Sequence, residues 1–295
     1  DVNEIVVILG VYLITFQKLI PILNDLFSKY YSVLKNKHTF LSMKQELHDS
    51  EIFNLNNDGR RDIIEDNLKF KNSIILKNLN FSYPDKNNFN LEIDFLEIPY
   101  GEVLGITGKS GSGKTTFLNI FTGLIPNDKF DISVDSKKIN NKNLKKYQTL
   151  IEYLPQNIFI LNDTVKKNIA FGVKESEIDI MKVKEAAKLA EIDSFIEQEC
   201  SNKYETIVGE NAIKLSGGQK QRIGIARSLY LDKEIIIFDE ATNSLDKNTE
   251  LKVIKNILSK KNKTIIIVTH NLDLLSNINK VLYFDKGRIL KKSIN

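Results

Sequence analysis

Residues 108–115 read Gly-Lys-Ser-Gly-Ser-Gly-Lys-Thr, directly after a short apolar run. Glycines at that spacing let the chain curl so that successive backbone N–H groups converge on one point, which suits a phosphate. A helix beginning near Lys114 would add the positive end of its dipole. Lys114 would neutralise the outer phosphates of ATP, and the Thr115 hydroxyl would hold Mg²⁺. The candidate cofactor site therefore comprises Gly108, Lys109, Ser110, Gly111, Ser112, Gly113, Lys114, Thr115 and the adjoining Thr116. A second apolar run, residues 234–238, leads straight into Asp239 and Glu240. At the end of a buried strand beside a phosphate loop, Asp239 can orient the Mg²⁺ shell. Glu240 can polarise an attacking water as general base.

A third segment reads Leu215-Ser216-Gly217-Gly218-Gln219, followed by Lys220-Gln221-Arg222. Ser216 is a natural helix N-cap, and the two glycines bare backbone N–H groups for close anion approach. This five-residue motif, a short distance before the acidic strand, resembles the signature of the ABC ATPases. Other elements similar to that family appear in order. Tyr83, in Phe-Ser-Tyr-Pro, lies 25 residues before Gly108 and matches the aromatic that stacks on adenine. Gln156, in Leu-Pro-Gln, looks like the glutamine that touches Mg²⁺ and water. Asn243-Ser244-Leu245-Asp246 resembles the loop linking two sites, with Asn-Ser where Ser-Ala is the commoner form. Little consequence is expected from that departure, because Asp246 is kept. His270 matches the histidine that contacts the γ-phosphate. The resemblance spans residues 74–290 and implies ATP hydrolysis, with Glu240, His270 and Gln156 as catalytic residues. It also implies a head-to-tail pair of identical chains, in which Ser216, Gly217, Gly218, Gln219 and Asp246 close over the partner's nucleotide.

The elements needed to position these residues are legible as patterns. Residues 74–83 and 89–98 read as strands, the second with alternating Phe89, Leu91, Ile93 and Phe95. Residues 103–107, 149–154, 234–238, 264–268 and 281–284 are short apolar runs separated by helical stretches, which implies a parallel sheet covered on both faces. Residues 176–200 read as helical and interrupt that alternation. The expected fold class is α/β: a P-loop NTPase of the ABC ATPase type, with a mixed sheet, an antiparallel β subdomain and a helical subdomain over about 157–231. A long helix precedes it. The expected division is 1–48 as a final transmembrane helix with its cytoplasmic extension, 49–72 as linker and 73–295 as the nucleotide-binding domain.

Residues 5–16 carry no charge, and counting through Lys18 to Phe27 gives 23 residues, enough to span a bilayer. Pro21 predicts a kink. Lys29, Lys35, Lys37 and Lys44 crowd the far side, which places that end in the cytoplasm and the helix in the cytoplasmic membrane, among lipid. The alternative is an amphipathic helix docked on a soluble domain. Net charge is +4, but the lysines are scattered among carboxylates, which argues against a nucleic-acid partner. The single cysteine, Cys200, excludes an internal disulfide, and three histidines without ligand spacing argue against zinc.

Residues 206–210 and 162–169 resemble exporter segments that touch the membrane domain. An N-terminal membrane helix in the same chain resembles exporter half-transporters, whose upstream helices would be partners. Residues 10–13 and 18–21 look most similar to transporters that flip lipid-linked oligosaccharides or polysaccharides. Multidrug, lipid and peptide exporters remain open. A soluble ABC ATPase of DNA repair or translation is the remote alternative, opposed by the absence of heptads between loop and signature.

Overall fold

The computed structural model describes residues 2–58, 68–83, 89–125, 130–209, 214–260 and 262–292. The chain forms two compact units, Asp1–Glu65 and Asp66–Asn295.

The first unit is one 57-residue helix, α1 (Val2–Asp58), which runs through Pro21. The consecutive apolar residues Val11, Tyr12, Leu13 and Ile14 are all exposed, so this stretch of the helix is apolar on every face. Its stretch Ile8–Lys44 is long and apolar enough to cross a membrane by length and composition. The helix continues ten residues into the segment expected as linker. Polar side chains do not break a helix, and no glycine or proline occurs between Pro21 and Gly59. Asn56, Asn57 and Asp58, expected in the linker, thus belong to the last helical turn. The rest of the expected linker up to residue 67 lies outside the described residues.

The second unit is built on ten strands of one sheet. The first six elements of the sheet are β1 (Ser73–Phe81), β2 (Leu91–Pro99), β3 (Val103–Gly108), β4 (Asp131–Val134), β5 (Lys137–Lys138) and β6 (Ile151–Leu154). A separate ribbon pairs β7 (Asp163–Thr164) with β8 (Ile207–Val208). The main sheet resumes with β9 (Ile235–Asp239), β10 (Thr264–Val268), β11 (Lys280–Asp285) and β12 (Arg288–Lys292). The lateral order is β5-β4-β1-β2-β12-β11-β3-β10-β9-β6. From β11 to β6 every neighbouring pair is parallel. The other end, β5 to β2, is antiparallel, and β12 joins the halves by pairing antiparallel with β11 and through Arg288↔Glu92 with β2.

Helices α2 (Lys114–Phe121) and α3 (Leu144–Thr149) precede the lobe formed by α4 (Val165–Ile169), α5 (Ile180–Leu189), α6 (Asp193–Glu199) and α7 (Gly217–Leu231). After it come α8 (Lys247–Leu258) and α9 (Leu272–Leu275). The continuous apolar runs of β9 and β10 are explained by two cores. Ile235, Ile237, Ile266 and Val268 face the core shared with Phe117 and Phe121 of α2. Ile236, Phe238, Ile265 and Ile267 face the other, with Ile223 of α7 and Val253 of α8. A strand buried on both faces has no polar positions to alternate.

Candidate functional site

The site assembles at the carboxyl ends of three adjacent parallel strands, where an open α/β sheet offers a crevice. Register brings them together: Val268 of β10 pairs with Ile106 of β3 on one side and Asp239 of β9 on the other. The loop after β3 and the residues following β9 and β10 therefore meet.

At the β3–α2 turn, Gly108 has φ 148°, and a Cβ there would lie 2.3 Å from the Phe284 carbonyl oxygen and 2.8 Å from Ser112 Oγ. No other residue fits that backbone. Helix α2 begins at Lys114 with Gly113 as N-cap and no side-chain cap, so its first N–H groups have no intrahelical partner. Ser112 Oγ is buried and makes no hydrogen bond among the described residues. Lys114 is 9% exposed, and its Nζ donates to the carbonyls of Gly108 at 2.7 Å and Lys109 at 3.2 Å. Burial pushes its pKa below the ordinary lysine value, against the opposing pull of Glu240 and Asp239. An uncapped helix start, an orphaned hydroxyl and a desolvated ammonium bonded only to carbonyls make a site that fits an anion.

The acids stand opposite. Asp239 ends β9, and its Oδ2 accepts from Tyr153 Oη at 2.8 Å. Burial raises the Asp239 pKa, with the Tyr153 bond and Lys114 opposing and Glu240 reinforcing. Glu240 sits at φ 50°, a left-handed conformation costly for a residue with a side chain, and its N–H donates to the Val268 carbonyl at 3.0 Å. Its Oε2 accepts from Gln156 Nε2 at 2.9 Å and Asn243 Nδ2 at 2.8 Å, while Oε1 lies 3.2 Å from His270 Nε2. Glu250 of α8, itself buried, accepts from Thr242 Oγ1 at 2.6 Å and Asn271 Nδ2 at 3.0 Å. That carboxylate ties the turn after Glu240 to the turn after His270.

Part of this set lines one cleft of about 540 Å³, while Gly108, Lys109 and Ser112 of the loop do not border it. Of the residues expected from sequence, Ser110, Gly111, Gly113, Lys114, Thr115 and Thr116 border it, joined by Tyr83, Gln156, Asp239, Glu240 and His270. The Tyr83 ring packs edge-on against Phe81 with centroids 5.0 Å apart. Thr115, Asp239 and Gln156 present oxygen donors of the kind Mg²⁺ takes, one or two protein ligands completed by water and phosphate.

The signature residues do not line this cleft. Ser216 caps α7 in a reciprocal box: its Oγ accepts from Gln219 N, and its N–H donates to Gln219 Oε1 at 2.8 Å. A Cβ on Gly218 would approach the Ser244 carbonyl oxygen to 3.0 Å, so the small residue lets the linking loop pack on the signature. Asp246 caps α8 by accepting from Thr249 N at 3.0 Å, which holds its pKa below the ordinary aspartate value.

Sequence reasoning missed Tyr153, Phe89, Glu250 and the reach of Asn243. Tyr153 meets Asp239 only because β6 and β9 are neighbours, and Phe89, expected as strand, precedes β2 and borders the cleft. Asn243, standing where serine is the commoner form, places its amide on the Glu240 carboxylate. The two segments similar to exporter contact loops are brought together: Asp163 and Thr164 pair with Val208 and Ile207. Glu210 lies outside the described residues.

Comparison with known proteins agrees with this geometry. The family model described as ABC transporter matches residues 91–243. Among curated proteins, the ATP-dependent lipid A-core flippase of Aliivibrio fischeri is 34% identical over 224 residues, 75% of this chain and 38% of that protein. The one from Blochmanniella floridana is 37% identical over 229 residues, 77% and 39% respectively. The chain thus spans about two fifths of the length of these relatives. Among solved structures, a bacterial Atm1-family ABC exporter with ATP bound superposes with a TM-score of 0.69 and 30% identity, over 84% of this chain and 44% of that one. With the phosphate loop, the acids after β9 and the capped signature helix all in place, the chain belongs to the ABC transporter family and carries that family's ATP-binding ATPase domain.

Proposed function

We propose that the chain is the C-terminal part of an exporter-type half-transporter, whose ATP hydrolysis moves a lipid-anchored glycan across the cytoplasmic membrane. The observation that carries this reading is the separation of two anion-binding elements on one chain. The phosphate cleft holds the desolvated Lys114, while the capped start of α7 stands outside it. Each is half of a triphosphate site, so two copies pair head-to-tail and each closes over the other's nucleotide. ATP then bridges the pair, and its loss lets the pair open.

Within the cleft, Lys114 and the N–H groups of the loop neutralise the phosphates, and Tyr83 stacks on the base. Thr115, Asp239 and Gln156 would hold Mg²⁺, which supplies positive charge to the phosphate oxygens when bound. Glu240 accepts the proton of the attacking water as its oxygen bonds to the γ-phosphorus, and ADP departs. His270, beside Glu240, orients that carboxylate and the terminal phosphate. Coupling to the membrane part runs through the β7–β8 ribbon and an adjoining hollow of about 490 Å³ that includes the exposed Phe159. α1 is the last membrane helix, entering the cytoplasm on its lysine-rich side. The glycan-bearing lipid follows from the flippase relatives and from the sequence likeness of α1.

Glu240→Gln keeps the size of the side chain and one acceptor oxygen for the Gln156 and Asn243 amides, but cannot take a proton. In the full-length transporter it should retain ATP binding and lose nearly all turnover. A wild-type ATPase rate in an assembly that still pairs would refute the assignment. Movement of lipid-linked glycans in vesicles tests the cargo. Export of a drug or peptide with no movement of any glycolipid would replace it.

A further inference from the structure

We propose that Asn243 is a positioning residue that holds the Glu240 carboxylate in the orientation a general base needs. The inference rests on Glu240 being the general base. Asn243 stands in the turn between β9 and α8, three residues beyond Glu240, and its amide reaches back to donate to Oε2 at 2.8 Å. Gln156 donates to the same oxygen at 2.9 Å. The other oxygen, Oε1, lies 3.2 Å from His270 Nε2. Both amides are neutral donors, so these bonds fix the plane of the carboxylate without neutralising its charge.

The two amides differ in how firmly they are held. Both are exposed, but Gln156 lies beyond the end of β6, in a segment separate from the base. Asn243 belongs to the same turn as the base, closed by Asn243 N–H to the Glu240 carbonyl and Leu245 N–H to the Thr242 carbonyl. The buried Glu250 anchors Thr242 in that turn. Asn243 thus keeps Oε2 engaged whether or not Gln156 is turned elsewhere. It also stands next to Ser244, whose N–H donates to Gln221 of α7 at 2.8 Å and which packs on Gly217 and Gly218. A displacement of the signature helix would reach the base through one intervening residue.

The test uses the full-length transporter carrying this chain, with Asn243→Ala, Asn243→Ser, Glu240→Gln and the Asn243→Ala/Glu240→Gln pair. Four quantities are read: kcat, KM for ATP, equilibrium binding of a fluorescent ATP analogue without Mg²⁺, and melting temperature. Asn243→Ala should lower kcat about tenfold, the value of one hydrogen bond to a charged group. KM and analogue affinity should stay within about twofold, and the melting temperature within about 2 °C. Serine, which retains a donor on a shorter arm, should recover a substantial part of the loss. Adding Asn243→Ala to Glu240→Gln should change nothing further, as for residues acting through one another. Wild-type kcat in Asn243→Ala overturns the inference. So does a parallel fall of affinity or melting temperature, or a serine variant no better than alanine. Glu240→Gln with undiminished turnover would instead remove the base itself, a failure separable from that of Asn243.

Discussion

Ser112 offers a test in which one substitution should move two measurements in opposite directions. The residue is 4% exposed, and its buried hydroxyl makes no hydrogen bond among the described residues. An unsatisfied buried hydroxyl costs about 1–3 kcal/mol. Ser112→Ala removes that cost and leaves a void of about 10 Å³, which costs only about 0.2 kcal/mol. The nucleotide-free chain should therefore gain about 1 kcal/mol, a rise of about 2–4 °C in melting temperature for a domain of this size. If the hydroxyl is orphaned because it waits for a phosphate oxygen, ATP affinity should fall. A hydrogen bond to a charged group is worth about 1.5–3 kcal/mol, or about 10–150-fold in Kd. The assay is thermal unfolding of the purified chain with and without ATP, together with equilibrium binding of a fluorescent ATP analogue. The distance between the melting curves with and without ATP should shrink from both ends. A nucleotide-free variant that melts below the parent would mean that the hydroxyl already has a stabilising partner. Unchanged ATP affinity would mean that it does not face the phosphates. Either result refutes the reasoning.

Other outcomes follow from the same contacts. Lys114→Met should abolish ATP binding while leaving the empty chain folded, because it replaces a desolvated ammonium bonded only to carbonyls with an apolar side chain of similar length; ATP binding at parental affinity would contradict the cleft assignment. Arg227 of α7 donates to the carbonyls of Asn168 and Phe159 and stacks on Phe171, so Arg227→Ala should cost about 2 kcal/mol and expose the 157–168 segment to protease, and an unchanged cleavage pattern would count against that clamp. Burial raises the Glu152 pKa above the ordinary value of 4.5, opposed by Arg227, Lys233 and Ser228. The folded chain keeps that proton longer than the unfolded one, so its contribution to stability falls as pH rises through and above the ordinary glutamate value. Glu152→Gln should flatten this limb in urea unfolding between about pH 4 and 7, and parallel pH profiles would show that the carboxyl is not desolvated.

The chemistry of this chain was written locally. A phosphate loop, a strand ending in two acids and a helix opening on Ser-Gly-Gly are each contiguous, because the bonds they make run between near neighbours along the backbone. The same holds for the apolar runs of β3, β9 and β10, whose continuity reports burial on both faces before any partner strand is known. The end of α1 lies ten residues beyond the expected one, since polarity and helicity are independent and no glycine or proline stands between Pro21 and Gly59. What the tertiary structure alone decided is which of these pieces share a cleft. Tyr153 reaches Asp239 through a strand pairing, Glu250 joins two turns from a helix between them, and Gln156 and His270 converge on Glu240 from two separate segments. Such contacts depend on strand order and register, which arise from the packing of the whole sheet, and side chains distant in sequence carry no local mark of their meeting.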